Sequence, residues 1–96
     1  MNTVGTARIY KSNQPGAMRV FLSKTAKDLI GDDIVFDKKK LIIRRPTIDS
    51  KKTYSIRAKI FSLCCSEEDE ILLEGIYHVI QKDEDTFKLK KCQKTE

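Results

Sequence analysis

ARIYKSNQPGAMRVFLSKTAKDLIGDDIVFDKKKLIIRRP, residues 7–46, is the stretch whose reading decides the fold. Near its start, Asn13-Gln14-Pro15-Gly16 forms a turn, because Pro presets φ and Gly tolerates positive φ. Residues 7–12 and 18–22 on either side are extended. Met18, Val20 and Leu22 alternate with Arg19 and Phe21, so the two strands pair as a hairpin. Ser23 is a good N-cap; Ala26, Leu29 and Ile30 share one helical face, and Gly31 stands at the C′ position. A two-turn helix is unstable alone, so Leu29 and Ile30 must pack. Residues 33–37 and 40–45 read as two further strands, joined at Asp37-Lys38-Lys39 and ended by Pro46.

Downstream, after a polar loop over residues 47–52, residues 53–63 alternate regularly. Tyr54, Ile56, Ala58 and Ile60 lie on one face with Ser55, Arg57 and Lys59 on the other, the pattern of one half-buried antiparallel strand. The segment Ser66-Glu67-Glu68-Asp69-Glu70 has two readings. Ser66 with Asp69 three residues later can open a helix, whereas Ile71, Leu73, Tyr77 and Val79 have strand period. The strand reading, residues 70–81, is preferred. A turn at residues 82–85 and a strand at 86–91 close a last hairpin, and a tail from Cys92 is expected to fray. The expected fold is mostly β (β-rich α+β), a small antiparallel sheet or barrel of six to seven strands, with one short helix after strand two.

A chain of 96 residues has room for one domain and one modest core. With 40% apolar and 34% charged residues but only two Pro and four Gly, its composition is that of a globular domain with a heavily charged surface. Charge divides along the sequence. Residues 1–63 hold fourteen Lys or Arg against five Asp, while residues 64–96 hold five Lys against nine Asp or Glu. A first half this basic points to an anionic partner, most simply nucleic acid. No run reaches the roughly 20 apolar residues of a membrane span, and residues 1–5 lack the apolar run of a signal peptide. The expected location is therefore cytoplasmic, nucleoid-associated if the partner is DNA, with no membrane partner.

Arg19-Val20-Phe21-Leu22-Ser23, then Leu29-Ile30-Gly31-Asp32-Asp33-Ile34, then Leu41-Ile42-Ile43-Arg44-Arg45-Pro46 follow the order of a known module. Residues 7–46 resemble the swapped-hairpin module of AbrB-like and MazE-like regulators, although Ser23 stands where that family carries Pro. The resemblance implies an interleaved homodimer in which two chains complete one small β-barrel and present the first hairpin to DNA. Arg19 carries over by position, and Arg8 and Lys11 by their place in the preceding strand. An SH3-like or Sm-like barrel is the alternative for the same strand count.

Independently of any family, Arg8, Lys11, Arg19, Lys24 and Lys27 precede the block Lys38-Lys39-Lys40, which continues through Arg44, Arg45, Lys51 and Lys52. Clustered cations release condensed counterions on meeting phosphate. The expected nucleic-acid-binding residues are Arg8, Lys11, Arg19, Lys24, Lys38, Lys39, Lys40, Arg44 and Arg45. Arg19, Arg44 and Arg45 are the candidates for base readout, since a guanidinium grips guanine or phosphate with two bonds. For Arg44 and Arg45, protection of an edge strand is an equal alternative. The seven aromatic residues are scattered, with no cluster of adjacent rings of the kind that reads RNA.

No enzyme is expected. His78, the single histidine, sits in an apolar strand away from any Ser or Lys motif, and no phosphate-binding glycine pattern exists. No cofactor is expected either. Cys64, Cys65 and Cys92 read as reduced thiols, because adjacent cysteines do not converge on zinc. Two functions stay open. One is a small DNA-binding homodimer, a regulator or antitoxin-like factor. The other is a non-enzymatic protein-binding modulator, such as a viral or mobile-element host-takeover factor, in which the acidic segment at Glu67–Glu70 engages another protein or the basic half of a dimer mate.

Overall fold

The structure, a computed structural model, describes residues 2–49 and 52–92. Lys51 of the expected basic loop and residues 93–96 of the expected tail lie outside them. Eight antiparallel strands and two short helices follow one another as β1 (Asn2–Lys11), β2 (Ala17–Leu22), α1 (Lys24–Ile30), β3 (Asp33–Asp37), β4 (Ile42–Arg44), β5 (Tyr54–Ser55), β6 (Ile60–Cys64), α2 (Glu67–Leu73), β7 (Gly75–Gln81) and β8 (Thr86–Lys91). The sheet runs β5-β3-β4-β8-β7-β1-β2-β6, and an isolated bridge from Arg57, two residues past β5, to Ile60 at the start of β6 brings its two ends together. The result is a nearly closed barrel, mostly β as the alternation of the sequence requires.

Alternation places one side chain of each pair inside. Ala7 and Ile9, Met18, Val20 and Leu22, Phe61 and Leu63, Tyr77 and Val79, and Phe87 and Leu89 are all buried, joined from β3 and β4 by Ile34, Phe36 and Ile43. Each large side chain so buried contributes about 1.5–3 kcal/mol. Helix α1 closes one mouth of this core with Ala26 and Ile30, and α2 closes the other with Leu73. Gly5 lets α1 approach β1. A Cβ there would stand 2.4 Å from Ser23 Oγ and 2.8 Å from Ala26 Cβ. The β1–β7 register slips beside it, between Thr3 and Gly5, as a bulge does.

The first turn and α1 form where the sequence places them, with Ser23 as N-cap and Gly31 at φ 97°, but β1 begins at Asn2 rather than at residue 7, and Leu29, expected to pack, is exposed while Ile30 is buried. Two elements differ in kind. The expected strand over residues 53–63 is broken by a two-residue hairpin turn at Ala58 and Lys59, whose φ values are 49° and 75°. Arg57 and Ile60 exchange both backbone bonds at 2.9 Å across it. Positive φ at both central residues is what a type I′ turn needs to match strand twist. Ala and Lys give no sign of it, since Asn and Gly are its usual occupants. The run therefore makes two strands rather than one.

The second difference is α2, where residues 70–74 were expected to be extended. Ser66 and Asp69 form a complete capping box: Asp69 N–H reaches Ser66 Oγ at 3.2 Å and Ser66 N–H reaches the Asp69 carboxylate at 3.5 Å. Gly75, at φ 153°, then lets the chain turn into β7. The barrel thus has eight strands and two helices, one more strand and one more helix than the alternation alone suggested. Strand β4 also starts later than residue 40, because Leu41 takes φ 55° in the turn from β3. No helix among the described residues is long and apolar enough to cross a membrane.

Candidate nucleic-acid interface

With the inward positions filled by the core, the outward positions of the same strands make the surface. Strands β8, β7, β1, β2 and β6 are consecutive neighbours in the sheet, and none contains an Asp or Glu. They carry Arg8, Lys11, Arg19, Lys88, Lys90 and Lys91. The charge division read along the sequence is therefore regrouped in space. Lys88 and Lys90 of the acidic half share the outward parity of Arg8 and Arg19, whereas Lys11 and Lys91 fall at strand ends on the inward parity. The described acids of that half lie on α2, just after it and in the β7–β8 turn.

Register fixes the layout of this face. Arg8 lies opposite Phe21 on one side and Ile76 on the other, Tyr10 opposite Arg19, Thr6 opposite His78, and His78 opposite Lys90. Arg19 lies opposite Ser62, and Phe21 opposite Ile60. Two rings share the face with the cations. The Arg8 guanidinium sits 5.7 Å from the Tyr10 ring centroid, and the Lys59 ammonium 5.5 Å from that of Phe21. Such pairs are worth about 0.5–1 kcal/mol at exposed sites and hold both partners in place. Phe21 keeps 39% of its surface exposed and Ile76 51%. Of the other aromatics, Phe36, Phe61, Tyr77 and Phe87 are core.

At the seam where β5 and β6 diverge beyond their single bridge, a cleft of about 440 Å³ opens. Arg19 and Arg57 line it together with Thr53, Ser55 and Ser62, with Tyr54, Ile60 and Phe61 as its apolar part. Neither arginine forms an ion pair with any described residue. Ser55 Oγ donates to the Asp33 carboxylate at 3.3 Å, so its proton is turned away from the cleft.

The expected binding residues do not all converge here. Arg8 and Arg19 stand on the acid-free face, and Lys11 is exposed where β1 enters the turn. Lys24 is exposed on α1, at the opposite end of the hairpin from that turn. Lys38 pairs with Asp69 of α2 at 2.9 Å, a contact that raises the lysine pKa and lowers that of the carboxyl. The backbone N–H groups of Lys39 and Lys40 bind the Asp37 carboxylate at 3.0 and 3.1 Å, which holds its pKa down, and both side chains are exposed at the turn. Arg44 is exposed on β4; the Asp85 backbone N–H holds the Asp83 pKa down, and the Arg44 charge adds a smaller lowering to both Asp83 and Asp37. Arg45 donates to the Leu29 carbonyl at the end of α1 and lies 3.9 Å from the Asp85 carboxylate, tying α1 to the β7–β8 turn.

Sequence reasoning missed Arg57, Lys59 and Lys90 as members of the surface. Lys90 had a signal, since it shares outward parity with His78, but seeing it required the β7–β8 register. Arg57 and Lys59 were legible as the polar face of residues 53–63, but the turn that aims them at this seam is unmarked. His78 is exposed on the outer face beside Lys90. All three cysteines are free, with Cys65 buried and its thiol pKa raised by burial. Among the described residues no group of three or more His, Cys, Asp or Glu is placed to hold a metal. No protein-family model, curated protein or solved structure matches this chain.

Proposed function

We propose that this chain binds nucleic acid, with DNA as the expected form, across the outer face of β8-β7-β1-β2-β6. The observation that carries the reading is the absence of any carboxylate from five adjacent strands that bear Arg8, Arg19 and Lys90. A surface of one sign attracts a polyanion and releases its counterions on contact. Fluorescence anisotropy with mixed-sequence oligonucleotides tests it. Three neutralised phosphates give a log–log salt slope of about −2.7, or about fortyfold weaker binding on going from about 50 to about 200 mM salt. Replacing Arg8, Arg19 and Lys90 together by Ala removes most of that affinity, whereas replacing Arg44 and Arg45 leaves most of it. Equal loss from the two variants moves the interface elsewhere; no binding of any nucleic acid at low salt rejects it.

A second reading, protein binding, is favoured by α2. Ile71 and Leu72 are 75% and 71% exposed on a helix that also bears Glu67, Glu68 and Glu70. The partner whose charge suits this helix is a second copy, through its basic sheet. Sedimentation velocity with the Ile71→Glu, Leu72→Glu variant decides it: a wild-type dimer that becomes monomeric supports the reading, and a monomeric wild type removes it.

A further inference from the structure

We infer that the nucleic acid this face accepts is single-stranded, with a backbone phosphate held between Arg19 and Arg57 in the β5–β6 seam and a base stacked on Phe21. The inference rests on the nucleic-acid reading above and deepens it.

The argument begins with what each form of nucleic acid offers. A duplex hides the faces of its bases and is read by inserting a helix or a ribbon into a groove. The β3–β4 turn exposes Lys39 and Lys40, but Asp37 at its base and Asp69 beside Lys38 put carboxylates against it. The turn joining β1 to β2, residues 12–16, contains no cation. Both helices are only seven residues long; α2 opens with four acids, and in α1 Lys27 is paired with Asp32. Duplex contact is therefore left with charge alone.

A single strand exposes phosphates and base faces side by side, and proteins that bind it combine a cationic groove with aromatic platforms. Both are present at the seam. Phe21 and Arg19 are two residues apart on β2 and point outward together, with Ile60 and Ser62 of β6 directly opposite them. The ring is thus at the lip of the cleft that Arg19 and Arg57 line. Lys59 extends over the same ring; a base stacking on that face displaces its flexible side chain, which leaves a third cation at the rim of the stack. The cleft volume falls within the range of about 300–1,000 Å³ usual for small-ligand sites.

The donor set fits a phosphate diester. Two guanidiniums supply planar forks for non-bridging oxygens. The Thr53 and Ser62 hydroxyls add neutral donors, while Ser55, its proton committed to Asp33, does not. No carboxylate lines the cleft itself. Asp33, which accepts the Ser55 proton, stands behind the cleft wall as an opposing charge, and its neutralisation strengthens binding.

The test is fluorescence anisotropy on the full chain with a labelled mixed-sequence DNA single strand, its RNA counterpart, and the same DNA annealed to its complement. At low salt the single strands bind at least about tenfold more tightly than the duplex, and the RNA and DNA arms show whether the sugar matters. Phe21→Leu weakens single-strand binding by roughly fivefold to a hundredfold, the range of one lost base stack, and leaves duplex binding unchanged. Phe21→Trp keeps the affinity, which separates stacking from folding. Arg57→Gln lowers the salt slope by about one. Duplex binding equal to or tighter than single-strand binding, or Phe21→Leu matching the wild type, overturns the inference and leaves the broader reading standing. Binding of neither form overturns both.

Discussion

Helices α1 and α2 are both seven residues long and both begin at a serine whose hydroxyl accepts a backbone N–H of the first turn, yet they sit in the fold very differently. α1 buries two side chains and is fixed from several sides. Its cap Ser23 also accepts the Thr6 N–H at 3.0 Å, and Ser23 N–H reaches the Thr6 carbonyl at 2.9 Å. α2 buries only Leu73 and leaves Ile71 and Leu72 outside. It is held by its own capping box, by the Lys38–Asp69 pair, and by Tyr77, whose hydroxyl donates to the Leu73 carbonyl at 2.6 Å inside the core. Local capping suffices to start a two-turn helix, but what it packs on decides whether it belongs to the core or to the surface.

The sharpest way to break that contrast is Gly5→Val. Its Cβ enters the space of Ser23 and Ala26, so α1 must lift from β1 at a cost of about 2–3 kcal/mol, read as a lowered urea midpoint. Ile71→Ala and Leu72→Ala, on the other helix, change the stability read from that midpoint by less than about 0.5 kcal/mol. Next comes Tyr77→Phe. It strands the buried Leu73 carbonyl and costs about 1–2 kcal/mol by the same measurement. Burial has already raised the Tyr77 pKa, so the phenol stays a donor at neutral pH.

A finer comparison sets the two caps against each other. Ser23→Ala removes an acceptor for two N–H groups, one in α1 and one in β1, and costs about 1.5–2 kcal/mol; Ser66→Ala removes one and costs about 0.5–1 kcal/mol. Equal costs would show that the β1 link contributes nothing.

The smallest effect is that of pH on α2. Lys38 lowers the Asp69 pKa below 3.8, so this stabilisation is present above that value and is lost as pH falls through the folded pKa. On the lysine side the pKa is raised above 10.5, and the contribution fades only as pH rises past it. Melting temperature followed from pH 7 down to about 3 therefore falls less for Asp69→Asn than for the wild type. Asp37 and Asp83, also lowered, contribute to the acid loss in both proteins.

What could be read from the residues follows from which forces are local. The turns of the first and last hairpins and α1 with Ser23 and Gly31 are set by turn chemistry and period within a few positions, and they form as read, although β1 starts earlier and β7 later than the strands expected there. The Ala58-Lys59 turn was invisible because neither residue prefers positive φ; closing the barrel between β5 and β6 imposes it. Asn at position 58 should accordingly stabilise the protein by a few tenths to about 1 kcal/mol. For α2, the capping box and the strand period competed within the same residues, and Gly75 settled the contest by ending one pattern before β7 resumed it. The proposed binding surface was half legible. Arg8 and Arg19 are adjacent through a hairpin that the sequence announces, while Lys90, Arg57 and Lys59 reach that face only through long-range pairing and an unmarked turn.

Strand β1 lies in the middle of the sheet, with β2 on one side and β7 on the other; Ile9 pairs with Gly75 and Asn2 with Gln81. At a ribosome adding about 5–20 residues per second, one edge of β1 waits roughly 3–13 seconds for its partner. During synthesis the nascent hairpin therefore presents an apolar, unpaired backbone edge, and its first protection comes from whatever chaperone or neighbouring chain meets it before β7 is made.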